Sequence, residues 1–135
     1  MTQPARFDAT PQLPTRLVLI YRADAGVIPM IVDVLKKSVG IEECSLCHAT
    51  FGATGMKKAW KTCEQSLKVP VEHLHRNEVP PGWQVREEDL PCILVERAGA
   101  RAVLVDRATI AACGGSPERL EEATRAALAR EGIAA

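Results

Sequence analysis

Leu17-Val18-Leu19-Ile20-Tyr21 is the stretch on which the reading of the fold turns. Five apolar residues in a row, rich in strand formers, suit a short β-strand buried on both faces. Such a strand belongs at the centre of its sheet. The surrounding chain has 135 residues, 47% of them apolar, which is enough for one domain with a single core. Residues 1–15, with Pro4, Pro11 and Pro14, read as a flexible leader, and 16–135 as the folded unit.

Outward from that strand, Arg22-Ala23-Asp24-Ala25-Gly26 reads as a turn with Asp24 as helix N-cap. Val27, Ile28, Ile31, Val34 and Leu35 then recur at helical spacing, and Lys36, Lys37 and Gly40 mark the helix end. Residues 41–55 read as a loop with a short strand. A second helix is expected from near Thr54, with Met56, Trp60, Cys63 and Leu67 on one face and Lys57, Lys58, Lys61 and Glu64 off it. Val69 to His75 suits a strand with Pro70 near its start, so that Val71, His73 and His75 share a face. Asn77 to Asp89 is a surface connection. Cys92 to Glu96 and Ala102 to Asp106 form a hairpin. Ser116-Pro117 starts a last helix whose apolar face is Leu120, Ala123, Ala127 and Leu128.

Seventeen basic and seventeen acidic residues cancel, so no net charge favours nucleic acid or an anionic membrane as partner. No apolar run approaches the roughly 20 residues of a membrane helix, and the leader lacks a signal-peptide apolar stretch. A cytoplasmic location is expected. Thiols there are mostly reduced, so the five cysteines are read as redox-active, metal-binding or simply buried.

The chemistry concentrates in Glu43-Cys44-Ser45-Leu46-Cys47-His48. As a redox dithiol, Cys44 and Cys47 are close enough for one to attack a disulfide and the other to resolve the intermediate. A helix starting after Cys47, or His48, would favour the thiolate, while Glu42 and Glu43 would oppose it. As a metal site, Cys44 and Cys47 would be joined by His48, His73, His75 or Cys63, with zinc or copper(I) the ions that accept thiolate. Covalent haem fits the Cys-x-x-Cys-His letters but is set aside, because attachment takes place outside the cytoplasm and no export signal is visible. No cofactor is required by the redox reading. Tyr21, Arg22 and Asp24 fall at the carboxyl end of the first strand, where α/β sheets place ligands, although Asp24 also serves as a plain cap. Cys113-Gly114-Gly115 offers backbone donors to an anion or is a plain turn.

The succession strand, helix, cysteine-bearing loop with helix, strand, hairpin and terminal helix resembles the thioredoxin-like superfamily. Leu90-Pro91-Cys92-Ile93-Leu94-Val95 looks like the segment in which that superfamily has a cis proline beside its active-site dithiol. The resemblance implies an α/β fold, a three-layer domain with a central mixed sheet, and a cis bond before Pro91, which would border the site. The usual dithiol position after the first strand holds Arg22 to Gly26 instead, so this Cys-x-x-Cys lies in an insertion after the first helix. Tyr21-Arg22-Ala23-Asp24, Cys44-Ser45-Leu46-Cys47, Lys57-Lys58-Ala59-Trp60 and His75-Arg76-Asn77-Glu78 together resemble a group of small bacterial proteins with no established activity. No Gly-x-x-x-x-Gly-Lys-Ser/Thr loop is present, so phosphate cradling of that kind is not expected.

The leading expectation is a thiol-redox protein with catalytic Cys44 and Cys47, Cys44 attacking, acting on protein or low-molecular-weight thiols and disulfides. The competing expectations are a metal-binding module built on the same cysteines and an interaction domain with inert cysteines.

Overall fold

A computed structural model of the chain describes residues 15–22, 44–52 and 55–135. Residues 1–14 of the leader, the helix expected over 27–35, Asp24, Glu42, Glu43 and Thr54 lie outside the described residues. Within them the protein is a mixed α/β structure. Strand β1 (Arg16–Tyr21) pairs in parallel with β4 (Val71–His75) on one side and antiparallel with β5 (Cys92–Arg97) on the other. Strand β6 (Ala100–Val105) closes the described sheet, giving the order β4-β1-β5-β6. The five-residue apolar run is therefore flanked on both sides, as its composition requires.

Local chemistry accounts for the connections. Ala98 and Gly99 form a two-residue hairpin, both at positive φ (51° and 84°), the backbone that matches the twist of the flanking strands. Pro70 precedes β4, where its missing donor costs no ladder bond. Ser116 caps α4 (Pro117–Arg130) by accepting the Arg119 N–H at 3.2 Å, with Pro117 in the first turn. The link from β4 to β5 is three 3-10 turns, Arg76–Glu78, Pro81–Trp83 and Glu87–Asp89, and ends in the cis Leu90–Pro91 bond.

Two expectations change. Residues 41–55 hold more than a loop: Ser45–Thr50 is a helix (α1), followed by a small hairpin of β2 (Phe51–Gly52) and β3 (Gly55–Met56). Helix α2 (Lys58–Ser66) accordingly starts later than expected, and Met56 belongs to β3. Asp106 does not end a strand but caps a further short helix, α3 (Arg107–Ala112), by accepting the Thr109 N–H at 2.9 Å.

The period-two alternation of β1 divides the core. Leu17, Leu19 and Tyr21 pack with Ile93 and Val95 against helix residues Leu46, Trp60, Ile110, Leu120 and Leu128. Val18 and Ile20 pack with Cys92 and Leu94 against Val79, Trp83 and Val85 of the 3-10 connection. Each fully buried aliphatic side chain contributes about 1.5–3 kcal/mol, so both faces matter to stability.

Candidate functional site

Cys44 and Cys47 form a disulfide, with Cα atoms 5.2 Å apart. Helix α1 explains the approach. One turn of helix brings residues three apart onto one side, and Cys44 serves as N-cap with sulfur in place of the usual oxygen. Its Sγ accepts the Cys47 N–H at 3.2 Å. Leu46, Ala49 and Thr50 anchor the helix in the core, and the sulfurs go in with it: Cys44 is 2% exposed and Cys47 0%.

His48, beside the dithiol in sequence, points outward and lies against the turn between α3 and α4. A Cβ at Gly115 would sit 2.8 Å from its ring, and Gly115 also has φ of +80°, so only glycine fits there. Lys57 Nζ donates to the Gly115 carbonyl at 3.1 Å. The Cys113-Gly114-Gly115 turn is thus held from α1 and from the start of α2.

The remaining chemistry-bearing residues meet around Tyr21. Tyr21 ends β1 and His73 lies in its parallel neighbour, so the phenol oxygen reaches His73 Nδ1 at 2.7 Å with the rings stacked. Thr50 Oγ1 lies 3.4 Å from the same phenol oxygen and donates to the Leu46 carbonyl at 2.8 Å. On the far side, His73 Nε2 lies 2.7 Å from Glu64 Oε2, an approach off the ring N–H direction that leaves Nε2 without an aligned acceptor. Trp60 Nε1 donates to the same Glu64 oxygen at 2.5 Å. Phe51 packs edge-on against Tyr21, and His75 tilts against it. Burial pushes the Tyr21 phenol far above its ordinary value; the Thr50 hydrogen bond offsets part of this and the Glu64 charge adds to it.

The other candidates are dispersed. His75 gives both its backbone N–H (2.8 Å) and ring Nδ1 (2.7 Å) to Glu78 Oε1, and that backbone bond first, then the ring, holds the Glu78 carboxyl below its usual range. Arg22 Nε donates to Glu87 Oε2 at 3.2 Å, tying β1 to the 3-10 connection, and Pro91 is buried. His48, His73 and His75 therefore have separate partners, and among the described residues no group of three or more His, Cys, Asp or Glu side chains is arranged to hold a metal ion. Cys63, Cys92 and Cys113 are free and buried. Burial raises all three thiols. Cys63 reaches about 11, with Glu121 adding to the effect, and Cys92 about 12.

Sequence reasoning singled out Tyr21 and His73 for different reasons and missed their contact with each other, and with it Thr50 and Glu64. The available signal was the Trp60 and Glu64 pair, four apart on one helix. No family model, curated protein or solved structure matches the chain.

Proposed function

We propose that this chain is a small thiol-redox protein of thioredoxin-like architecture, in which Cys44 and Cys47 alternate between dithiol and disulfide. The observation that carries the reading is the Cys44–Cys47 bond at the start of α1, with the Cys47 N–H on Cys44 Sγ. A backbone donor at a helix start stabilises a thiolate more than a thiol, which makes Cys44 the attacking sulfur. The Cys44 thiolate displaces one half of a substrate disulfide, and Cys47 then displaces the other half by closing on Cys44.

The architecture is supported by the strand order and directions, with β1 parallel to β4 and antiparallel to β5, and by Pro91 at the entry to β5. The partners in this reading are protein or low-molecular-weight thiols and disulfides, and with both sulfurs buried either kind reaches them only after α1 moves. A mutual sulfur–sulfur bond favours this reading over a metal module, because a thiolate ligand must be free of it.

Thiol trapping and mass spectrometry of the full chain over a series of redox buffers should show Cys44 and Cys47 passing reversibly between trapped thiols and disulfide. Cys44→Ser should lose reduction of glutathione disulfide. A Cys44→Ser variant that reduces it at the unmodified rate would sink the reading.

A further inference from the structure

The exchange chemistry gives the Cys113-Gly114-Gly115 turn no part, yet the helix that carries the disulfide rests on it. The turn is stiff. Cys113 and Gly114 donate back to the Ile110 and Ala111 carbonyls at 3.0 and 3.1 Å, and Ser116, which caps α4, donates to the Cys113 carbonyl at 3.1 Å. Gly114 and Gly115 supply the positive φ, 62° and 80°, that brings the chain round. Helix α1 is attached to this turn in two ways. The His48 ring stands where a side chain of residue 115 would, so that a Cβ there would be 2.8 to 3.0 Å from three ring atoms. Lys57 spans the other end of the helix: its backbone N–H donates to the carbonyl of Thr50, the last residue of α1, at 2.7 Å, and its Nζ donates to the Gly115 carbonyl at 3.1 Å.

We infer that this turn is a latch for α1, with His48 and Lys57 as its two hooks, and that its release opens the Cys44 and Cys47 sulfurs to thiols and disulfides. The inference rests on the redox reading, which requires an opening because the two cysteines are 2% and 0% exposed. A locally opened state exposes a buried bond without unfolding the sheet, and its population falls with every contact that the closed state alone makes. The His48 and Lys57 contacts are of that kind, since the turn belongs to α3 and α4 and keeps its own hydrogen bonds when α1 leaves. His48 follows Cys47 directly, so a ring that comes off the turn carries the sulfur with it. Leu46, Ala49 and Thr50 in the core keep the open state minor, and the latch sets how minor. A side chain at position 115 acts on this equilibrium in a recognisable way. Its φ cost is the same whether α1 is closed or open, whereas its clash with the His48 ring exists only in the closed state.

The test follows reduction of the oxidised full chain by excess dithiothreitol, which gives two electrons and two protons to the disulfide and leaves as its own cyclic disulfide. Samples quenched in acid are unfolded, labelled with N-ethylmaleimide and weighed, giving three labels while the disulfide lasts and five once it is reduced. His48→Ala, Gly115→Ala and Lys57→Met should each be reduced about fivefold faster than the unmodified protein, the factor that one ordinary contact carries. The double variant His48→Ala/Gly115→Ala should be no faster than His48→Ala, because the clash needs the ring. Glu96→Gln, on the other face of the sheet, lowers overall stability, which urea denaturation measures, and should leave the rate of reduction unchanged. Circular dichroism establishes that each variant is folded. Folded His48→Ala and Gly115→Ala reduced at the unmodified rate overturn the latch. So does a double variant in which the two effects multiply, and so does Glu96→Gln speeding reduction as much as they do, because the sulfurs then open only with the whole fold. An oxidised, unmodified protein that takes five labels before any reductant is added has no Cys44–Cys47 bond. That result overturns the redox reading and the latch with it, and it appears before any variant is made.

Discussion

On the face of the sheet that carries Leu17, Leu19 and Tyr21, polar side chains lie deep inside, and the Thr50–Tyr21–His73–Glu64 row and the Cys44–Cys47 bond share the core with four helices. The face of Val18 and Ile20 keeps its ion pairs at the ends of β1, Arg22 with Glu87 at one and a cluster about Arg16 at the other. There Arg16 bridges Glu72 and Glu96, Arg101 pairs with Glu96 at 2.8 Å, and the Arg101 guanidinium stacks 4.5 Å from the centre of the Trp83 ring. Behind that cluster the second face is apolar down to Cys92, whose single thiol has no partner sulfur. The difference teaches where this fold spends its buried polarity. A hydrogen-bonded row within a helix-covered core is a costly arrangement that stability alone does not call for, whereas the cluster at the sheet end surrounds the buried Glu96 with arginines that still reach water.

The comparison is broken most directly by truncating neighbouring residues of β1 that point opposite ways. Leu19 and Ile20 are both wholly buried. Leu19→Ala should cost about 4 kcal/mol, because four helices fix the walls of the hole, and Ile20→Ala about 2–3 kcal/mol, because the 3-10 connection can settle into it. Urea denaturation measures both. Equal losses would mean that the second face is as rigidly closed as the first.

The thiols sharpen the same contrast on a smaller scale. Cys92, on the second face, and Cys63, on the first, have raised thiol values of about 12 and about 11 against an ordinary value of about 9. With its thiol pushed up this far, Cys92 is almost wholly protonated at pH 8, so in the reduced, folded protein iodoacetamide should modify Cys44 first and leave Cys63 and Cys92 untouched until unfolding. Because folding raises these values, the stability they carry is complete below about pH 9 and is lost as pH climbs toward 12. Rapid labelling of Cys92 in the folded state at pH 8 would show that its face opens to solvent.

How much of this was legible beforehand follows from the range of each signal. The β1 run, the hairpin and the Ser116-Pro117 cap are local patterns and were legible, although the hairpin turn is tighter than read, with the strands reaching Arg97 and starting again at Ala100. Helix α1 was hidden because six residues are too few to show apolar periodicity and its cap is a sulfur rather than a Ser, Thr, Asp or Asn oxygen. Helix α3 was hidden by its brevity, with Asp106 absorbed into the strand before it. The closeness of Cys44 and Cys47 was legible from spacing, which left a disulfide and a shared metal both open. The polar contacts of Tyr21 were not legible, since they depend on the parallel register that sets Leu19 beside His73 and Tyr21 beside His75, a relation between residues more than fifty positions apart.

The smallest expected effect tests whether water screens the end cluster of the second face. The Glu96 carboxyl is held below its ordinary value first by the Arg16 hydrogen bond; burial opposes this, and the Arg101 hydrogen bond and the two guanidinium charges add smaller lowering effects. A depressed carboxyl contributes stability that is present above the ordinary value near 4.5 and is lost as pH falls through the lower, folded one. The Arg16 and Arg101 side chains are 32% and 27% exposed, so water screens much of the attraction. Glu96→Gln should therefore cost about 1 kcal/mol at neutral pH. Its stability should converge on that of the unmodified protein in acid, where both side chains are uncharged, and the difference should shrink in about 1 M salt, where the screening length falls to about 3 Å. The loss caused by Tyr21→Phe on the first face should not change with salt, because its hydrogen bonds are buried away from the ions. A Glu96→Gln deficit that survives both acid and salt would place Glu96 among the deeply buried polar groups and erase the distinction between the two faces.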